Sequence, residues 1–226
     1  MGNVGSSCPR VHCRGTLDVT SNDACTEIRV AVLGEWMPSQ LADVLALQRA
    51  EEPDTAIALV ECAANASAHE PTGGPFDFAV SANEVQWPGW VCEPLWHDTL
   101  AVAVAKRSHL LAYREVPCHE LSKQPLICVQ SAAGESWHAQ AHRPLEDRPQ
   151  GEGQKVGTFD MAMTLVAAGY GVTIAPTARL AGYQCKGVAV RPLADAPMIV
   201  TAYLLRPSTS LNERQDRFAQ RARSVS

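Results

Sequence analysis

Gln154 to Pro176 reads QKVGTFDMAMTLVAAGYGVTIAP. Val156 begins a short extended run, Thr158 is placed to cap a helix, and Asp160 falls in the first turn, where a negative charge suits the helix dipole. Phe159, Ala162, Met163, Val166 and Gly169 recur at three- and four-residue spacing, which is one face of an amphipathic helix. Gly169 and Gly171 bracket Tyr170 where that helix should stop, and Val172 to Ala175 is a β-rich run halted by Pro176. The stretch therefore reads as a strand–helix–strand unit whose two strands are expected to be parallel. In such units a ligand sits beyond the carboxyl ends of the strands, against the helix N-terminus, so Thr158 and Phe159 become candidate crevice residues. The competing reading is a scaffold element without a ligand role.

The same patterns extend outward in both directions. Ile28 to Leu33 is a compact strand, Gly34 to Met37 a turn, and Pro38, suited to the first helical position, opens a helix with Leu41, Val44, Leu45 and Gln48 on one stripe. Pro53 and Asp54 end it. Ala56 to Glu61 is the next strand, and a Pro/Gly-rich link over Glu70 to Pro75 leads to a third at Phe76 to Ser81. Trp90 to Ala105 is a long extended region, expected to be interrupted near His97 and Asp98. Beyond Lys106 come a short helix at Pro117 to Leu121, a strand at Leu126 to Val129, a helix at Glu135 to His142 and a polar loop to Gly153. After Pro176 follow a short helix (Thr177 to Ala181), strands at Val188 to Arg191 and Ile199 to Leu205, and a terminal helix from Ser210 to Arg221. No solenoid-length repeat is visible. The pattern is α/β in two halves, and a crevice between two such halves is the default ligand site.

The chain of 226 residues is 46% hydrophobic and 19% charged, with a formal net charge of -5. That balance is globular and leaves no electrostatic footprint for direct nucleic-acid binding. No apolar run reaches the roughly 18 residues that a membrane span requires, and the first thirty residues lack the order of a signal peptide, so a cytoplasmic protein is expected. Met1 to Thr26 has no sustained periodicity and reads as a poorly ordered leader. The eight cysteines, Cys8, Cys13, Cys25, Cys62, Cys92, Cys118, Cys128 and Cys185, are scattered without a CxxC, and read as reduced thiols, several of them buried.

Catalytic and metal patterns are weak. His138 and His142 stand four apart on an expected helix, but no third ligand is placed with them. Cys8, His12 and Cys13 form only a loose cluster. Gly134-Glu135-Ser136 lacks the second glycine of a nucleophile elbow, and Gly151 to Lys155 lacks phosphate-loop spacing. Neither cofactor nor metal is expected, nor an enzyme. Arg214, Arg217, Arg221 and Arg223 read as the exposed basic face of the last helix, favoured by its dipole.

Five segments in order carry a resemblance: IRVAVL followed by a helix ending in EEPD, then FDFAVS, EPLWHDTLAVAVAKRSHLLA, QPLICV and LVAAGYGVTIAP. Together they are similar to the effector-binding domain of LysR-type transcriptional regulators, over nearly all of Ile28 to Arg221. The resemblance implies the fold of type 2 periplasmic binding proteins: two Rossmann-like subdomains joined by two crossover strands. Residues 1–27 would be the leader, 28–98 with 199–226 subdomain I, and 99–198 subdomain II. Family members bind small, often anionic effectors in the crevice and signal to an N-terminal winged helix-turn-helix. Nothing in Met1 to Glu27 has the periodicity or length of that element, which leaves a separated domain, a shortened gene product or a stand-alone domain open. The resemblance also implies a homodimer, with the helix Pro38 to Glu52 meeting the partner's helix near Thr158 to Ala168.

Carried over to this sequence, the family's crevice shows departures. The turn after the first strand has Glu35 where a hydroxyl is usual, so either the effector is neutral or cationic or Glu35 points to solvent, and the second is favoured. Trp36 could stack on a flat ligand or cover the subdomain edge. Ala63 and Ala64 stand where a Gly-Thr pair is often found. Ser81, Gln130, Ser131, Thr158 and Phe159 remain polar or aromatic at crevice-facing positions, against a competing reading as ordinary loop caps. The expected function is small-molecule effector binding without DNA binding by this chain. The alternative is a stand-alone solute-binding or dimerisation protein with a degenerate site, modulating a complete regulator of the family.

Overall fold

The computed structural model describes residues 27–34, 36–63, 76–129, 153–183, 186–194 and 198–225. In chain order the first half builds β1 (Glu27–Leu33), α1 (Gln40–Glu51), β2 (Ala56–Cys62), β3 (Phe78–Ser81) and β4 (Trp90–Ala105). A 3-10 turn (His109–Ala112), α2 (Cys118–Leu121), β5 (Leu126–Val129), β6 (Gly153–Val156), α3 (Phe159–Ala168), β7 (Thr173–Pro176), α4 (Thr177–Gly182) and β8 (Val188–Pro192) follow. The chain returns through β9 (Ile199–Pro207) and α5 (Glu213–Ser224). The leader, the link 70–75, the helix expected at Glu135 to His142 with its histidine pair, and Cys8, His12, Cys13, Cys25 and Cys185 lie outside the described residues. So do Gly134-Glu135-Ser136, and Gly151 and Glu152 of the Gly151 to Lys155 stretch, whose other residues open β6.

Strand order in the main sheet is β2-β1-β3-β9-β4-β7, with β8 on β4. β1 pairs in parallel with both β2 and β3, while β9 runs antiparallel to β3. β4 belongs to both halves. Its stretch Trp90 to Thr99 pairs with β9, and Leu100 to Ala105 is flanked by β7 and β8. The interruption expected near His97 and Asp98 is not there, since both residues pair in register with Thr201 and Val200; the register shifts instead between Pro94 and Trp96. Proline has no N–H to offer the ladder, so the irregularity falls beside it rather than at the polar residues.

The alternation of side chains along β1 splits the first half into two packed layers. Ile28, Val30 and Val32 face the stripe Leu41 and Val44 of α1, while Ala31 and Leu33 face Phe76 and Trp87 on the opposite side. α1 starts at Gln40, two residues later than Pro38, because the carbonyls of Pro38 and Ser39 accept from Leu41 and Ala42 three residues on, at 3.2 and 3.1 Å, as in a 3-10 turn.

In the second half β5 and β6 are parallel. Leu126 bridges Val172 in parallel, with Ile127 N donating to Val172 O at 2.8 Å and Val172 N to Pro125 O at 2.9 Å. β5 thus lies between β6 and β7, whose parallel direction matches the strand–helix–strand reading. α3 begins where expected, at an N-cap Thr158 whose hydroxyl accepts from Met161 N, and ends at Gly169 with φ 84°. Gly169 N donates to Val166 O and Tyr170 N to Leu165 O, the pair of bonds of a Schellman motif. At Gly171 a Cβ would stand 2.3 Å from the carbonyl oxygen of Pro125, so only glycine lets this turn reach the β5 backbone.

The last helix departs from expectation in two respects. It starts at Glu213 rather than Ser210, set by a capping box in which Gln215 N donates to Asn212 Oδ1 and Asn212 N to Gln215 Oε1. Its arginines are an exposed face only in part: Arg217 and Arg223 are exposed, Arg214 is half-buried and Arg221 is buried. Arg221 is 8% exposed and donates to Glu51, Glu52 and Gln48 of the α1 end at 2.6, 2.9 and 2.7 Å. Arg217 also binds Glu52, and Arg223 binds Glu93 at 2.8 Å. The apolar side, Phe218, Ala219 and Ala222, is pressed into the core, so the cations at its edge meet acids of the neighbouring elements. The indole N–H of Trp96 donates to the carbonyls of Ala222 and Val225, both at 3.1 Å.

Cys62, Cys92, Cys118 and Cys128 are in no disulfide. Burial pushes the Cys92 thiol above its ordinary value, and the charges of Glu84 and Glu93 add to this. No described helix is long and apolar enough to cross a membrane.

Candidate functional site

Strand register locates the crevice. β3 runs from Ala79 beside Leu205 to Ser81 beside Tyr203, so its carboxyl end, and with it those of β1 and β2, points toward the Thr99–Ile199 pair where β4 changes partners. β7 runs from Thr173 beside Ala103 to Pro176 beside Leu100, so the parallel strands of the second half point toward the same place. Both sets of carboxyl ends converge on one boundary. That is where ligands bind in open α/β folds.

A polar cluster occupies the boundary. Asp98 accepts from Thr99 N at 2.7 Å and from Ala178 N, in the first turn of α4, at 3.0 Å. The Thr177 hydroxyl donates to Thr99 O at 2.8 Å and lies 2.9 Å from the Thr99 hydroxyl, while His97 Nδ1 is 3.1 Å from the Thr201 hydroxyl. The sequence reading did not single out this cluster. The signal was available in His97-Asp98-Thr99, a polar triplet inside an apolar strand, and in Thr177 directly after the strand-ending Pro176.

On the first wall, Gly34 N donates to Cys62 O at 2.9 Å and ties the ends of β1 and β2 together. Trp36 is only 3% exposed and sits in the core with Val32 and Leu41. Ser81 is buried, and its hydroxyl accepts from Asn83 N at 3.0 Å. Ala63 is half-buried. On the second wall Thr158 is exposed, and Phe159 is covered by its neighbours: Tyr183 meets it edge-on at 5.3 Å, and the Arg179 guanidinium lies 4.3 Å from its ring centre. Arg179 and Tyr183 were not read from the sequence, although an arginine three residues beyond a strand's carboxyl end was a usable sign. Glu35, Ala64, Gln130 and Ser131 lie outside the described residues.

The described boundary thus combines hydroxyls, one carboxylate, a guanidinium and aromatic edges, and its carboxylate and hydroxyls bond to neighbouring groups of the fold. Among the described residues no group of three or more His, Cys, Asp or Glu is arranged to hold a metal ion.

A parallel-stranded first half, a second half inserted between β4 and β9, and facing carboxyl ends define the class of two-lobed, periplasmic-binding-protein-like effector domains. The chain belongs to the LysR substrate binding domain family, whose model matches residues 21–226. No curated protein sequence matches it. Among solved structures it resembles the effector-binding domain of BenM with its effector benzoate, at TM-score 0.76 and 20% identity, over 88% of this chain and 90% of that one. A reduced form of OxyR from N. meningitidis aligns at TM-score 0.74 and 15% identity, over 88% of this chain and 95% of that one. Full-length BenM aligns at TM-score 0.77 and 20% identity over 88% of this chain, which spans 66% of the BenM length. These likenesses establish the fold.

Proposed function

We propose that this domain binds a small-molecule effector at the boundary where β4 changes partners, and that it serves as the sensing part of a LysR-type transcription regulator in the cytoplasm. Residues 28–98 with 199–226 are subdomain I in this reading, and 99–198 subdomain II. The observation that supports it most is the convergence of both parallel strand sets on Asp98, Thr99 and Thr177. In this reading Thr158, Arg179 and the Phe159–Tyr183 pair form the second wall and Ser81, Trp36 and Ala63 the first; Glu35, Ala64, Gln130 and Ser131 remain candidates on the sequence alone. The chemistry is recognition without turnover, and this chain itself makes no nucleic-acid contact.

A homodimer belongs to the same reading. The outward side of α1 carries exposed Ala42, Ala46, Leu47 and Ala50, and that of α3 carries Met161 at 53% exposure, followed by Tyr170 at 66%. Apolar side chains on the solvent side of two helices favour burial against a second copy.

Thermal shift against a metabolite panel tests the effector reading, since a ligand at 100 times its dissociation constant adds about 2.7 kcal/mol. A hit weakened by both Thr177→Val and Arg179→Gln supports this boundary. A hit indifferent to both refutes it. The second reading, a degenerate site in a protein that forms mixed dimers with a complete regulator, is favoured by the packing of Trp36 and Phe159 and the engaged Ser81 hydroxyl, and predicts a flat panel.

A further inference from the structure

Away from that boundary, the second half carries a groove of about 500 Å3 lined by Leu111, Tyr113, Arg114, Val190, Arg191 and Pro192. One wall is the chain leaving the 3-10 turn, and the other is the outer edge of β8, whose strand partner is β4. The walls meet where Val116 N donates to Pro192 O at 2.9 Å and Ala194 N to Val116 O at 3.0 Å. The groove is shallow and largely open to solvent, and its volume falls within the range of small-ligand sites.

Its charge is one-sided. Both charged lining residues are arginines, and neither forms an ion pair with a described carboxylate; Arg191 donates only to the backbone oxygen of Val190, at 3.0 Å. Arg206, Arg217, Arg221 and Arg223 behave differently, each being matched to a glutamate. The acids nearest in sequence are Glu115, exposed beside Arg114, and Asp195, which lies outside the described residues; Glu120 is held by Lys123 at 2.7 Å. Leu111, Val190 and Pro192 supply apolar surface, and the half-buried Tyr113 supplies a ring. Guanidinium groups offer paired N–H donors to carboxylate or phosphate oxygens, and a ring with an aliphatic floor covers a flat apolar body.

We infer that this groove is a second ligand site, taking a flat organic anion of the aromatic dicarboxylate or aryl phosphate kind, with Arg114 and Arg191 as its anion partners. It is independent of the boundary crevice and of the effector reading.

The four tyrosines, Tyr113, Tyr170, Tyr183 and Tyr203, allow the two sites to be read separately. Protein labelled with meta-fluorotyrosine and assigned by Tyr→Phe variants is titrated with phthalate, with phenyl phosphate and with neutral benzyl alcohol, and followed by fluorine NMR. The expected result is a saturable shift of Tyr113 with at least one anion and none with the alcohol. Affinity falls at least tenfold in Arg114→Gln/Arg191→Gln and several-fold in Arg114→Gln alone, an exposed position that keeps the test valid if the double variant misfolds. Tyr203, packed in the first half, reports an intact fold. A silent Tyr113, an equal response to benzyl alcohol, an affinity unchanged in the variants, or movement of Tyr183 with Tyr113 still would each overturn the assignment.

Discussion

Replacing Arg221 by alanine removes the cation on which the ends of α1 and α5 converge. Glu52, with an ordinary carboxyl value of 4.5, is held down to about 2 by the Arg217 and Arg221 guanidiniums, with a smaller contribution from Gln48, against the opposing effect of burial. At 1.36 kcal/mol per unit the full difference corresponds to about 3 kcal/mol. Solvent reduces that figure, since Glu52 keeps 15% of its side-chain surface and Arg217 keeps 48%, and about 2 kcal/mol is a fair value for the whole carboxylate. Arg217 remains in the variant and retains roughly half of it. The Gln48 side-chain oxygen, on a residue only 1% exposed, loses its donor, which adds about 1–2 kcal/mol. Arg221→Ala should therefore cost about 2–3 kcal/mol at pH 7 by urea denaturation. A depressed carboxyl value stabilises the fold above about 4.5 and loses that effect as pH falls toward 2. More than half of the carboxylate contribution is gone by about pH 3, so wild type and variant should draw closer there. A cost below about 1 kcal/mol at pH 7, or a gap that widens in acid, refutes the idea that this pairing joins the two helices.

Two further outcomes follow from local geometry. Gly171→Ala forces a Cβ against Pro125 O and should lower stability by about 3 kcal/mol or more, whereas Gly157→Ala, with nothing within 4 Å of the added atom, should be tolerated; similar melting temperatures for the two would contradict the close approach. Thr158→Ala removes the α3 cap and should cost about 1 kcal/mol, with Thr158→Ser restoring most of it; a serine variant no more stable than the alanine variant would show that the hydroxyl does not cap.

Local signals in the sequence were reliable where one physical cause acted alone. Thr158, Gly169 and Gly171 each mark a backbone requirement, and the strand–helix–strand unit they delimit is found where expected. β5 slips between β6 and β7, which no local pattern announces, since strand order is decided by which edges remain open. The break in β4 was read at the polar His97 and Asp98, but pairing tolerates polar side chains and reacts to the missing N–H of Pro94. Arg221 was read as exposed because arginine usually is, and its burial depends on acids far away in sequence at the end of α1. Of the candidate site, Thr158 was legible as a helix cap, whereas the juxtaposition of Thr177 with Thr99 emerges only when β7 is laid beside β4.

The return of β9 and α5 to the first half has a consequence for how the chain is made. The outer edge of β3 and the Gln48–Glu52 end of α1 wait for β9 and Arg221, which are synthesised only after the whole second half. At roughly 5 to 20 residues per second the delay between β3 and α5 is on the order of ten seconds. During that interval the first half keeps one strand edge unpaired and Phe78 without its partner ring Phe218, while the second half can close on itself first.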